Sequence, residues 1–176
     1  GLDFSKYTPG ELIQLEKAEV IEQLTQSGAW TGFLTRPFGH VPKVDQEPSS
    51  IFVTAIDTRP LAVNPISVLS EYIDDFNNGL TVINKLTAGK IFVCHDESFQ
   101  FKKNKIDTYQ SFAGKHPAGL AGTHIHHLDP VGLEKQVWTT DYQDVIAIGK
   151  LFTTGNIYSY KIIALAGSQV INPRLL

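Results

Sequence analysis

Two short runs decide most of what this chain can become. IFVTAI at 51–56 and KIFVC at 90–94 are continuously apolar and rich in β-branched residues. A strand with one wet face alternates apolar and polar residues. A strand without alternation is covered on both faces, as in the parallel sheets of layered α/β proteins. Between the two runs, Asn64 and Pro65 open a stripe at helical spacing: Leu69, Ile73, Phe76, Leu80, Ile83 and Leu86. Asn77, Asn78 and Gly79 weaken its middle. Strand, helix and strand make a βαβ unit, which implies a parallel sheet and a right-handed crossover.

The flanks carry clear punctuation. Thr8, Pro9 and Glu11 form a capping box with proline at the first helical position. Ile13, Val20, Ile21 and Leu24 then predict one apolar face, broken near Leu15, and Gly28 stops the helix. A proline-punctuated loop, WTGFLTRPFGHVPKVDQEPSS, follows. Residues 95–111 are polar and read as surface. Thr140 and Gln143 form a second box, opening a helix with Val145, Ile148, Leu151 and Phe152 inward and Gly155 at its end. YKIIALA at 160–166 predicts a further strand. The expected fold is α/β: a Rossmann-like layered sheet with helices on both faces.

Composition narrows the function. Hydrophobic residues are 42%, charged residues 19%, and the net charge of −3 lacks the basic footprint of a nucleic-acid binder. The longest aliphatic run, IIALA at 162–166, is far too short to span a bilayer, and no signal-peptide pattern opens the chain. A cytoplasmic setting follows as the default. The single cysteine, Cys94, excludes an internal disulfide and reads as a packed small hydrophobe. The chain has no methionine and begins GLDFSKYTPGE, which reads as a piece of a longer polypeptide or a processed start.

The stretch FAGKHPAGLAGTHIHHLDP at 112–130 invites two chemical readings. His124, His126 and His127 have H-x-H-H spacing, which brings two ligands together on a strand or a helix. A third would have to come from Asp129 or His116, and no H-E-x-x-H or second cysteine helps, so the expectation is no metal. A free-standing metal-dependent enzyme using this 116–127 histidine cluster is the alternative. GKHPAG supplies the glycines of a phosphate loop, but Leu120 and Ala121 stand where Lys and Ser or Thr are required, which defeats that reading. No catalytic residue set stands out.

Asp57 and Arg59 in IDTRP follow the first strand, where open α/β sheets bind ligands. Turn capping by Asp57, with Arg59 paired to it on the surface, is the reading these residues favour. In WTGFLTRPFGH, the rings of Trp30, Phe33 and Phe38 beside Arg36 and His40 suit a planar, carbonyl-bearing ligand such as a quinone. Core anchoring is the competing use of Trp30 and Phe33.

Taken in order, SGAWTGFLTRPF, IFVTAIDTRPLA, HPAGLAGTHIH with LDPV, and DYQDVIAIGKLFTTG resemble the A subunit of the bacterial sodium-translocating NADH:quinone oxidoreductases over nearly the whole chain. The resemblance implies a fragment: a degenerate nucleotide-binding domain over 1–166, then the start of a β-grasp domain at 167–176. It implies a peripheral position on the cytoplasmic face of the bacterial inner membrane, among the other subunits of a respiratory pump that oxidises NADH, reduces ubiquinone and moves Na⁺.

That subunit is similar in turn to the flavin subunit of respiratory complex I, from which this chain departs at three loops. The glycine-rich FMN loop is replaced by residues 29–38, where bulky side chains are expected to fill the space. The acidic run after the first strand becomes Asp57-Thr58-Arg59-Pro60, and the Asn-led start of the last helix becomes Thr140-Asp141-Tyr142-Gln143. The implication is a domain without FMN or NADH, acting as a scaffold or shaping a quinone site. Trp30, Arg36, Phe38, His40, His116 and His124 are the candidate quinone residues, and Asp57 and Arg59 the remnant of a nucleotide pocket.

Overall fold

The computed structural model describes residues 3–101, 103 and 107–176. Both apolar runs are central strands, β2 (Ser50–Ala55) and β3 (Lys90–His95), paired in parallel with Phe52 opposite Phe92. On its other side β2 pairs in parallel with β5 (Val137–Asp141), and β3 pairs in parallel with β4 (Thr108–Ser111). The short β1 (Leu34–Arg36) lies antiparallel on β5, giving the order β1-β5-β2-β3-β4.

Alternation along these strands sorts the core into two layers. Ile51, Val53, Ile91, Val93 and Trp138 face a large cluster shared with helices α2 (Lys17–Gln26), α3 (Pro65–Ile83) and α5 (Tyr142–Thr154). Phe52, Phe92, Cys94 and Val137 face the other way, onto Ile125 of α4 (Ala121–Leu128). The Phe52 and Phe92 rings stack 4.8 Å apart there. Helices thus cover both faces, as expected of an unalternating strand pair.

The predicted capping box is present: Thr8 accepts from Glu11 N and the Glu11 carboxylate accepts from Thr8 N. The helix is two pieces, α1 (Pro9–Leu12) and α2, and α2 restarts with its own box from Glu16 and Glu19. Ile13 sits in the break and is 58% exposed, so it leaves the apolar face assigned to it. Gly79, read as a weak point, is a contact. A methyl there would lie 2.0 Å from the Val145 carbonyl, and one at Gly149 would lie 1.9 Å from that of Asp75. Helices α3 and α5 therefore cross backbone to backbone.

Four sequence expectations need correction. Residues 95–111 are not simply surface, although 102 and 104–106 lie outside the described residues: they hold β4 and the buried Phe99. The N-cap of α5 is Asp141, not Thr140, because β5 stays paired with β2 through Asp141 opposite Thr54. Gln143 bonds the Ile162 backbone instead of closing a capping box. YKIIALA adds no strand to the main sheet, whose edges β1 and β4 already occupy. Only Ala164–Leu165 (β6) is a strand, and it pairs with Arg174–Leu175 (β7) in a separate ribbon.

Candidate functional site

The carboxyl ends of β2 and β5 open into a cleft of about 770 Å³. Such ends are where open α/β sheets present ligand sites, because the loops leaving the strands diverge there. Two helix N-termini meet this cleft, and the chain treats them differently.

The N-terminus of α5 is closed by its own carboxylate. Asp141 Oδ1 accepts from Gln143 N at 2.8 Å and Asp144 N at 2.9 Å. Lys161 then bridges Asp141 (3.1 Å) and Asp144 (2.8 Å). Burial, followed by the charge of Asp141, pushes the Asp144 carboxyl above the ordinary range against the pull of Lys161. Nearby, Asp57 takes the Arg59 Nε fork at 3.0 and 3.1 Å and caps the Arg59 amide at 2.9 Å. Burial would raise Asp57, but these bonds outweigh it and hold the carboxyl low.

The N-terminus of α4 is placed by the HPAGLAGTH loop. The Thr58 hydroxyl, on the turn after β2, accepts from Gly119 N at 2.9 Å. A side chain at Gly119 would meet Thr58 N at 2.7 Å. Thr123 Oγ1 donates to the Pro117 carbonyl and the His124 Nε2–H to the Ala118 carbonyl, each at 2.9 Å. These bonds fold the loop onto itself and set Leu120 and Ala121 on the cleft wall. Leu120 is the N-cap position and offers no side-chain cap. Among the described residues, the amides of Ala121 and Gly122 have no acceptor.

Arg36 stands on the same sheet face as α4, since it pairs opposite Val137, which packs with Ile125. It lines the cleft, makes no ion pair among the described residues, and its Nε is buried without a partner. The Thr140 hydroxyl also lines the cleft unpartnered, in a residue only 5% exposed. Around these donors the lip is aliphatic. Leu34, Leu61, Leu120 and Ile163 all line it, and all remain exposed. Leu61 holds a left-handed φ of 62°, a strained conformation for leucine that projects it to 66% exposure.

The sequence-predicted residues separate here. Arg36, Asp57 and Arg59 line the cleft; Trp30, Phe38, His40, His116 and His124 do not. Trp30 is core: its Nε1 donates to the Pro42 carbonyl at 2.7 Å and its ring lies 5.4 Å from Trp138. Phe38 and His40 sit exposed in the turn after β1. His116 lies exposed beside Thr58, 3.3 Å from its hydroxyl. His124 is fully buried against Phe112, and burial holds its imidazole below the usual range, hence neutral. The His126 and His127 rings lie 5.3 Å apart, but among the described residues no three His, Cys, Asp or Glu side chains are grouped to hold a metal. Burial also raises the Cys94 thiol far above the reactive range.

The expectation that bulky side chains of 29–38 fill the ligand space needs correction at two residues, while Leu34 and Arg36 do line the cleft. Trp30 and Phe33 turn into the core, so their bulk does not fill the outer space. Ser27, Gly28, Ala29, Thr31 and Gly32 instead face a second cleft of about 360 Å³. What crowds this loop is Asp144, whose carboxyl carbon lies 3.3 Å from where a Gly32 side chain would begin. Sequence reasoning missed Thr140 and the aliphatic lip, whose sites depend on long-range strand pairing.

Known proteins bear on this geometry in two ways. A model of the NqrA second alpha/beta domain matches residues 15–157. The chain is 50% identical over 173 residues, 98% of its length, to a Marinomonas sp. protein named as the A subunit of a Na(+)-translocating NADH-quinone reductase. It is 51% and 49% identical to proteins of the same name from Psychromonas ingrahamii and Neisseria meningitidis, in each case over 99% of its length. It covers 39% of the Marinomonas protein and 40% of the other two, so it spans about two fifths of the curated relatives it matches. The chain belongs to the family of the NqrA second α/β domain.

Proposed function

We propose that this chain is a domain of a membrane-associated, sodium-translocating NADH:quinone reductase, that it holds neither FMN nor NADH, and that its carboxyl-end cleft receives a quinone head group. In this reading the domain is peripheral, lies on the cytoplasmic face, and works against the other subunits of the pump. Residues 1–166 form the degenerate nucleotide-binding unit and 167–176 lead into a following β-grasp domain. Among the described residues no helix is long and apolar enough to cross a membrane.

The relatives' names support the assignment to the pump. Against FMN and NADH stands the charge pattern. A pyrophosphate seeks a helix N-terminus with free amides, but those of α5 are taken by Asp141. Asp57 and Asp144 add carboxylates to the same wall. For the quinone stands Arg36, a half-buried guanidinium with an unpartnered Nε beneath an aliphatic lip. It can donate to a carbonyl oxygen while the lip covers the ring.

Titration of the chain with FMN and with NADH tests the first part: no micromolar binding is expected, and such binding of either contradicts it. A photoreactive quinone on the assembled complex tests the second. Crosslinks within 34–36 or 120–121 are expected. Absence of labelling there, with unchanged quinone affinity in Arg36→Gln, would make the domain a ligand-free scaffold, a role to which the exposed Leu34, Leu61, Leu120 and Ile163 would equally lend themselves as a docking contact for another subunit.

A further inference from the structure

The turn that leaves β2 breaks a local rule. Ala62 N donates to the Arg59 carbonyl at 3.2 Å, Pro60 stands second, and Leu61 stands third with a φ of 62°. Proline second and a positive φ third is the pattern of a type II turn. The third position there belongs to glycine or asparagine, because a larger side chain crowds the backbone. Among the described residues, Leu61 is the one non-glycine with a positive φ. Burial does not offset this strain, since the residue is 66% exposed. Strain and exposed apolar surface are both uncompensated within the chain.

The turn is nevertheless held firmly. Asp57 accepts from the Arg59 amide at 2.9 Å and from its Nε at 3.0 and 3.1 Å, bracing the first residue of the turn. Just before it, the Thr58 hydroxyl accepts from Gly119 N at 2.9 Å. Pro60 fixes its own φ. A strained residue persists only where its surroundings over-determine it, and such residues concentrate where ligands are clamped. Leu61 lines the cleft that also contains the unpartnered Nε of Arg36. An occupant of this cleft gains from an acceptor oxygen and from an apolar surface, and Leu61 supplies part of the apolar contact. Leu34, Leu120 and Ile163 supply more of it, none of them at a positive φ.

We infer that Leu61 is a specificity-determining residue of the cleft, whose side chain packs on the apolar ring of a neutral, carbonyl-bearing ligand. The strain of the turn is retained for that contact. The inference rests on the quinone reading above and adds to it a residue that the ring touches.

Two substitutions test it. Leu61→Asn keeps the turn, since asparagine tolerates the left-handed region, and removes the apolar surface. Leu61→Gly does the same with no side chain, and serves if the asparagine variant does not fold. Leu133→Asn is the control, at a leucine 93% exposed and off the cleft. Titration of the chain with a water-soluble ubiquinone analogue is expected to show about tenfold weaker binding in both Leu61 variants, and native affinity in the control. Their melting temperatures should be unchanged or raised, by up to about 4 °C, because strain is relieved. Weaker binding without loss of stability separates a ligand contact from a structural one. Native affinity in both variants overturns the role of Leu61 and leaves the quinone reading intact. Lowered melting temperatures in both would show that the fold itself uses the side chain, and would also overturn the inference. A native chain that does not bind the analogue overturns the quinone reading and this inference with it.

Discussion

The N-termini of α4 and α5 face one cleft and are built to opposite specifications. Asp141 fills the end of α5, and every acid beside it has a basic partner. Leucine stands at the cap position of α4, with two amides idle and an unpaired arginine on the same face. A helix end is an anion site only while nothing of its own occupies it. The difference teaches that a nucleotide-type cleft can be shut to phosphate at one end while staying receptive at the other.

Several substitutions would break or sharpen this contrast. The largest effect is expected at Gly149→Ala, where the added methyl must push α3 and α5 apart. We expect a loss of up to about 3 kcal/mol in denaturant unfolding. Full retention of stability would show that α5 does not depend on that crossing for its place at the cleft. Next, Asp141→Ala removes two amide bonds from α5 and should cost about 1–2 kcal/mol. It should also give α5 the weak phosphate affinity that the native carboxylate denies it. The mirror change, Leu120→Asp, supplies α4 with the cap it lacks. It should add about 0.5–1 kcal/mol in denaturant unfolding. The smallest effect belongs to Arg59→Gln, whose side chain is 70% exposed; thermal unfolding should register less than about 1 kcal/mol.

The two acids of the closed side also predict opposite pH responses. Asp57 is held below its ordinary value of 3.8, so its contribution is present above that pH and is lost as pH falls through the lower folded value. Asp144 is held above 3.8, so the fold favours its protonated form, and stability declines as pH rises from 3.8 through the raised value. Asp57→Asn should therefore flatten the acid limb of a stability–pH curve, and Asp144→Asn should flatten the opposing slope above it.

The frame is legible in the sequence where burial is two-sided. IFVTAI and KIFVC lack alternation because both faces are covered, and T-P-x-E names its own cap. The edges are illegible. β1 is three residues long, and β4 reads TYQS, with no pattern that separates a short edge strand from a loop. The start of α5 falls one residue later than the sequence suggests, since Thr140 and Asp141 are both good caps and only pairing with β2 chooses between them. Arg36 is a candidate on sequence grounds, but in the company of rings that go elsewhere. Trp30 and Phe33 turn into the core, and its neighbours on the cleft come from α4, far along the chain. In HPAGLAGTHIH, the glycines and histidines shape the loop that delivers Ala121 to the cleft. A backbone role of that kind leaves no spacing rule to read.

Backbone amide shifts on adding a water-soluble ubiquinone analogue compare the two sides of the cleft in a single experiment. The account predicts saturable shifts at Leu34, Arg36 and Ala121 that vanish in Arg36→Gln, with Gln143 and Asp144 unmoved. Shifts at Gln143 and Asp144 with Leu34, Arg36 and Ala121 silent would contradict it.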